Sequence, residues 1–170
     1  KHSQMQETFG AIMLALVDGQ PRVLNLKEMM YYYLKHQKEV TTRRYQYDLE
    51  KAEHQAHIRE GLLIALDHLD EVIKIIRESR TDKEALDLLM SNYALTEIQG
   101  NAILDMRLRR LTGLERDKVL GEYEELKNTI AEIRSILDDH HKLMGIIKDE
   151  LLEVKNKYGD ERRTSISAQT

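Results

Sequence analysis

The sequence predicts a mainly α protein: a long antiparallel coiled-coil helical hairpin with a small helical dimerisation tip and a short N-terminal β-hairpin. Three observations predict it. The 170 residues are 41% hydrophobic and 33% charged with one Pro and no Trp, a mixture of aliphatic and charged residues that suits long amphipathic helices. Apolar residues recur at alternating spacings of 4 and 3 from Val119 to Tyr158, the pattern of a coiled-coil seam. A second long helical pattern precedes it, and two long helices joined through a short insert must run antiparallel.

Composition also excludes several classes. Without Cys there is no disulfide or thiolate chemistry, and a reducing, cytoplasmic setting is expected. No apolar run approaches the roughly 20 residues needed to span a bilayer, so no membrane is expected as a partner. A net charge of -4 argues against a purely electrostatic nucleic-acid binder. The chain opens in mid-pattern without Met and reads as a piece of a longer protein.

Residues 1–24 are expected to be the end of a preceding core domain. Asp18-Gly19 supplies turn residues that tolerate positive φ, so Phe9 to Val17 and Arg22 to Leu24 read as a β-hairpin; a helical stub is the alternative. Residues 25–80 form the outgoing arm. Leu26, Met30, Tyr33, Val40, Tyr47 and Ile58 share one heptad frame, interrupted by Gln37, Arg44, Lys51 and His54. Leu62, Leu66, Leu69, Ile73 and Ile76 follow a frame shifted by one position. Such a discontinuity predicts a bend or unwinding near Gly61, and irregularity is also expected where Val40, Thr41 and Thr42 cluster.

Residues 81–112 form the helical tip, with a break expected at Ser91-Asn92. On its last helix Ile98, Ala102 and Met106 lie on one stripe while Leu104, Leu108 and Leu111 lie on another. One stripe can face the arms. The other needs a partner, most simply a second copy of the chain. Residues 113–158 are the returning arm, whose seam of Val119, Tyr123, Leu126, Ile130, Ile133, Leu137, His140, Met144, Ile147, Leu151, Val154 and Tyr158 is expected to run without a break. Residues 159–170 read as a linker tail.

Capping boxes punctuate these elements. In each, a Thr or Asn and the Glu or Gln three residues later bond each other's backbone N–H. Asn25 with Glu28, Thr81 with Glu84, Thr96 with Gln99 and Thr112 with Glu115 fit the pattern.

Phe9 to Glu28, Glu60 to Asp70 and the tip from Ala94 to Glu115, with Leu111-Thr112-Gly113-Leu114-Glu115, closely resemble the A subunits of bacterial type IIA DNA topoisomerases, DNA gyrase first and topoisomerase IV as the runner-up. The resemblance covers essentially the whole chain. It implies the coiled-coil arm and exit gate (C-gate) of an ATP-dependent enzyme that passes one duplex through another and, in gyrase, introduces negative supercoils. The implied partners are a second copy of the chain through the tip, double-stranded DNA and the gyrase B subunit. No cofactor is expected in this piece; Mg2+ and ATP belong to the parent complex.

Met90, Tyr93, Ile98, Ala102, Asp105, Met106 and Arg109 are the expected dimer-interface residues, and Arg43, Arg44 and Lys51 are candidates to face DNA. No catalytic residue is expected. The dipeptide Arg44-Tyr45 matches the family's nucleophile pair only in name, since it lies on a long helix without an acidic metal-ligand cluster. His54 and His57 with Glu53 or Glu60 have helical spacing for a metal, but no further ligands accompany them. His140 occupies a seam position and would make the arm pH-sensitive there. Rival readings are a generic coiled-coil adaptor, which needs an apolar stripe on the outside of the arm where none of appreciable length is evident, and a stand-alone DNA-binding arm.

Overall fold

The computed structural model describes Met5 and residues 7–107 and 113–165. Among the described residues the order is β1 (Leu14–Val17), β2 (Gln20–Val23), α1 (Leu26–Asp67), α2 (Leu69–Glu78), α3 (Asp82–Tyr93), α4 (Glu97–Leu104), α5 (Gly113–Asp138) and α6 (His140–Tyr158). The fold is mainly α, with one long helix and an antiparallel N-terminal hairpin. The chain divides into two compact units, Lys1–Arg43 with His141–Thr170, and Arg44–His140.

In the first unit β1 and β2 pair in register Leu14↔Val23 to Val17↔Gln20. Asp18 and Gly19 have φ of 51° and 77°, the pair of positive values that a type I′ turn requires and that matches the right-handed strand twist. Asn25 and Glu28 then cap α1 reciprocally: Asn25 N donates to Glu28 Oε2 and Glu28 N to Asn25 Oδ1, both at 2.9 Å. On α6, Leu143 and Ile147 are buried, as is Thr41 on α1. Leu34, Met144, Ile147 and Leu151 line an open groove within this unit.

In the second unit the core joins Leu62 and Ala65 of α1, Val72 of α2, Leu89 of α3, Leu95 of the α3–α4 connection, Ile103 of α4 and Val119 of α5. Leu89 is wholly inaccessible to solvent. Three cross-helix ion pairs record an antiparallel register between α1 and α5: Arg116 to Asp67 at 2.6 Å, Arg59 to Glu122 at 2.7 Å and Arg134 to Glu53 at 2.6 Å.

Four expectations are corrected. First, α1 runs without interruption through Val40–Thr42 and Gly61, and the break falls at His68. Thr42 Oγ1 donates to Lys38 O at 2.8 Å, so the β-branched cluster is accommodated inside the helix. Second, in the expected heptad frame Leu26, Met30, Tyr33, Val40 and Tyr47 are exposed, Tyr47 at 65%, whereas its last member, Ile58, packs against the core. The buried positions are Thr41, Ala52, Ala56, Leu62 and Ala65; Thr41, Ala52 and Leu62 fall on the frame of the second half, and Ala56 and Ala65 lie one residue beside it. Small residues carry that face, and a search for large aliphatics passes over them.

Third, α3 passes through Ser91 and Asn92 and ends at Ala94. Ser91 Oγ donates back to Asp87 O at 2.8 Å, a local bond that lets Ser sit inside a helix. Fourth, the returning helix is interrupted at Asp139, between α5 and α6. His140 is exposed there, and the buried series passes from Ile133 and Ile136 to Leu143 and Ile147. The seam role of His140 and the pH response attached to it are therefore withdrawn.

Candidate functional site

The segment from α3 to α4, expected to form the tip, is assembled by helix caps and one buried amide. Thr81 Oγ1 accepts from Glu84 N at 3.2 Å, while Glu84 Oε2 accepts from Arg80 N at 2.9 Å, a box displaced by one residue. Thr96 and Gln99 form the complete box: Thr96 N donates to Gln99 Oε1 at 3.0 Å and Gln99 N to Thr96 Oγ1 at 3.4 Å. Of the last expected box, Thr112 with Glu115, Thr112 lies outside the described residues.

Gln99 does more than cap. Its side chain is almost fully buried, and its Nε2 donates to His57 O on α1 at 2.9 Å and lies 3.4 Å from His57 Nδ1. His57 Nε2 in turn lies 2.7 Å from Thr96 Oγ1. Two glycines make room for this join. A Cβ at Gly61 would stand 2.6 Å from Gln99 Cβ, and one at Gly100 would stand 2.4 Å from Leu86 Cδ1. Sequence reasoning identified Gln99 as a cap and gave no signal of its bridge to α1. The helical pattern of α4 also misses its true inward face, since Gln99, Gly100 and Ile103 are buried between the two anticipated stripes.

The anticipated tip residues are distributed as follows. Met90 is half-buried at the end of α3. Tyr93, also half-buried, donates its hydroxyl to Glu71 Oε2 at 2.9 Å and stacks at a tilt on His68, ring centroids 5.2 Å apart. Partial burial, then the hydrogen bond to Glu71 and the charge of Glu71, push the Tyr93 phenol above its usual value. Ala102 and Met106 pack on the unit's own core. Ile98 is 49% exposed beside Glu97, and Asp105 caps α4 at its C-terminal end. Leu88 of α3 is also exposed. Arg109, Arg110, Leu108 and Leu111 lie outside the described residues.

On the arm, Arg43 makes an exposed pair with Glu39 at 3.7 Å, the Arg44 guanidinium lies over the Tyr45 ring at 5.3 Å, and Lys51 is exposed. Arg44-Tyr45 lies within α1. Among the described residues no group of three His, Cys, Asp or Glu side chains could hold a metal ion. The pair His54/His57 does not fit one: His57 is engaged with Thr96 and Gln99, and Glu53 with Arg134. No described helix is long and apolar enough to cross a membrane.

The family model that describes the A subunit of DNA gyrase and topoisomerase IV matches residues 1–152. The DNA gyrase A subunit of Clostridium acetobutylicum is 58% identical over 166 residues, 98% of this chain and 20% of the relative. The DNA gyrase A subunit of Staphylococcus aureus strain MRSA252 is 55% identical over 166 residues, 98% of this chain and 19% of the relative. The chain thus spans about a fifth of the length of the curated relatives it matches. The family match over residues 1–152 and the identity of 55–58% to curated A subunits lead to one conclusion: the chain belongs to the family formed by the A subunits of DNA gyrase and topoisomerase IV.

Proposed function

We propose that this chain is the dimerisation and exit-gate module of a DNA gyrase A subunit, a mechanical part whose tip pairs with the tip of a second copy. The observation that carries the reading is Ile98, half exposed on a helix whose opposite side is fixed to its own arm by Gln99 and Ile103. A rigidly mounted apolar side chain is what a reversible contact needs, because little ordering entropy is lost on association. Met90, Tyr93, Ala102, Asp105 and Met106 would contribute to the same contact; Arg109 lies outside the described residues. A modest apolar patch with a charged rim suits an interface that must hold and later part.

In the parent enzyme the module would keep two copies joined while DNA passes, with the gyrase B subunit supplying the ATP-dependent and Mg2+-dependent steps. The residues here are assigned no part in holding ATP or metal. Arg43, Arg44 and Lys51 would give only weak, salt-sensitive contacts with duplex DNA. Sedimentation equilibrium at tens of micromolar tests the reading: a dimer is expected, with Ile98→Asp shifting it to monomer. A monomer for the unsubstituted chain would count against it.

One observation favours a second reading, a helix-binding adaptor. Leu26, Met30, Tyr33, Val40 and Tyr47 form an exposed heptad stripe on α1, the outward face that such an adaptor needs. Gln37, Arg44 and Lys51 interrupt it at every other seam position, which weakens it as a self-sufficient coiled-coil surface. If Tyr33→Asp with Tyr47→Asp abolished association while Ile98→Asp did not, this reading would replace the first.

A further inference from the structure

We infer that the cleft between α2 and α4 is a binding site for a small amphiphilic anion, an alkyl chain that ends in one carboxylate. The site does not depend on the association proposed above.

The cleft follows from how the helices pack. α3 lies against both α2 and α4, which keeps those two apart, and Val72 and Ile103, both buried, supply the floor between them. Leu69 and Ile73 of α2 and Leu104 and Met106 of α4, all half-buried, form the walls. The space they leave has a volume of about 250 Å³. A cavity of roughly 150 Å³ with aliphatic and aromatic walls takes up benzene. This one has room for a somewhat larger molecule.

The walls select the body of the ligand. They carry no aromatic ring to stack on and no strong hydrogen-bonding group, so they offer only apolar burial and dispersion contacts. A flexible alkyl chain suits such walls, and the Met106 thioether can adjust to it. Ligand pockets of this kind gain orientation and specificity from a small number of placed polar groups. Here there is one, Arg77.

Arg77 lines the cleft from the last turn of α2 and is exposed at its edge. Among the described residues it forms no ion pair or hydrogen bond. Its own helix end does not need it: Ile75 O accepts from Ser79 N at 3.1 Å and from Ser79 Oγ at 2.7 Å. Residues 108–112, Leu-Arg-Arg-Leu-Thr, contain no carboxylate that could engage it either. An apolar cleft with one unengaged guanidinium at its edge is complementary to an alkyl carboxylate. The chain is buried between α2 and α4, while the carboxylate stays at the surface and accepts from the guanidinium fork. A neutral alkyl molecule leaves that fork unused, and a cationic one is repelled by it.

Methyl NMR of the full 170-residue chain, titrated with octanoate and separately with 1-octanol, tests the site. Saturable shifts are expected at the methyl groups of Ile73, Leu104 and Met106, half-complete at about 1 mM octanoate, with the exposed methyl groups of Leu14, Leu16 and Val23 unmoved. Arg77→Gln, an exposed change that leaves the walls intact, should weaken octanoate about threefold, the scale of an exposed charge pair, and leave octanol unchanged. Shifts that grow without saturation at every exposed methyl group, or equal octanoate affinity with and without Arg77, overturn the site. Two other occupants would also overturn it. Octanoate binding that appears only in Leu108→Ser with Leu111→Ser makes the chain itself the occupant, and binding that fades as protein concentration rises makes it a second copy.

Discussion

Gly61 of α1 and Gln99 of α4 are in direct contact: a Cβ at Gly61 would lie 2.6 Å from Gln99 Cβ, 2.7 Å from Cγ and 3.1 Å from Cδ. Helix propensity alone says that Gly61→Ala inside α1 should stabilise by about 1 kcal/mol. Crowding opposes it, because Gln99 is held by bonds at both ends of its amide and cannot swing aside. Overpacking of this kind costs roughly 1–3 kcal/mol. Gly61→Ala is therefore expected to lower thermal stability, as read by calorimetry. A rise in melting temperature would show that Gln99 yields.

Ala94 ends α3 in the left-handed conformation, with φ of 52° and ψ of 37°. A Cβ there costs roughly 1–2 kcal/mol, which glycine avoids at the expense of a more flexible unfolded chain. Ala94→Gly should thus stabilise by up to about 1 kcal/mol, or about 2–4 °C for a chain of this size. An unchanged or lowered melting temperature would contradict this.

The two faces of α1 should respond oppositely to substitution. Ala56 is buried and Tyr47 is 65% exposed. Ala56→Leu is expected to destabilise by roughly 1–3 kcal/mol through overpacking, whereas Tyr47→Ala should stay within about 0.5 kcal/mol. Denaturant titration of both variants decides which frame of the helix is the packed one.

The Tyr93 phenol should ionise above the ordinary tyrosine range, seen as the difference in alkaline absorbance titration between the unsubstituted chain and Tyr93→Phe. Glu71→Gln should bring it only part of the way back, because burial is the larger cause and the hydrogen bond and charge of Glu71 come after it. Since the folded value is raised, the stabilisation is complete below the unfolded value near 10 and disappears as pH rises through the folded one. Full reversal by Glu71→Gln would place the cause in the carboxylate alone.

The elements with strong local chemistry were legible in the sequence: the Asp18-Gly19 turn, the Asn25 and Thr96 caps and the seam around Val119 and Ile133. What was not legible depends on partners distant in the chain. Ala52 and Ala56 look neutral until a facing helix arrives, and His140 fits a seam only if the helix continues through Asp139. Gly61 reads as a flexible point until Gln99 is seen against it. The tip site divides in the same way, since Ile98 stands out by pattern while the join of His57 to Gln99 spans 42 residues.

The ion pairs between α1 and α5 have a consequence separate from stability. Arg59–Glu122 is partly buried, and the other two are largely exposed; exposed pairs of this kind contribute about 0–1 kcal/mol each. Their signs alternate along each helix, negative, positive, negative from Glu53 through Arg59 to Asp67, and positive, negative, positive from Arg116 through Glu122 to Arg134 on the facing helix. A slip of one heptad in one direction brings Arg59 towards Arg116, while it moves Glu53 from Arg134 to Lys127. In the other direction it sets Asp67 against Glu122. Apolar seams repeat every heptad and tolerate such slips, so the like-charge contacts that a slip would create bias the two helices towards the observed alignment.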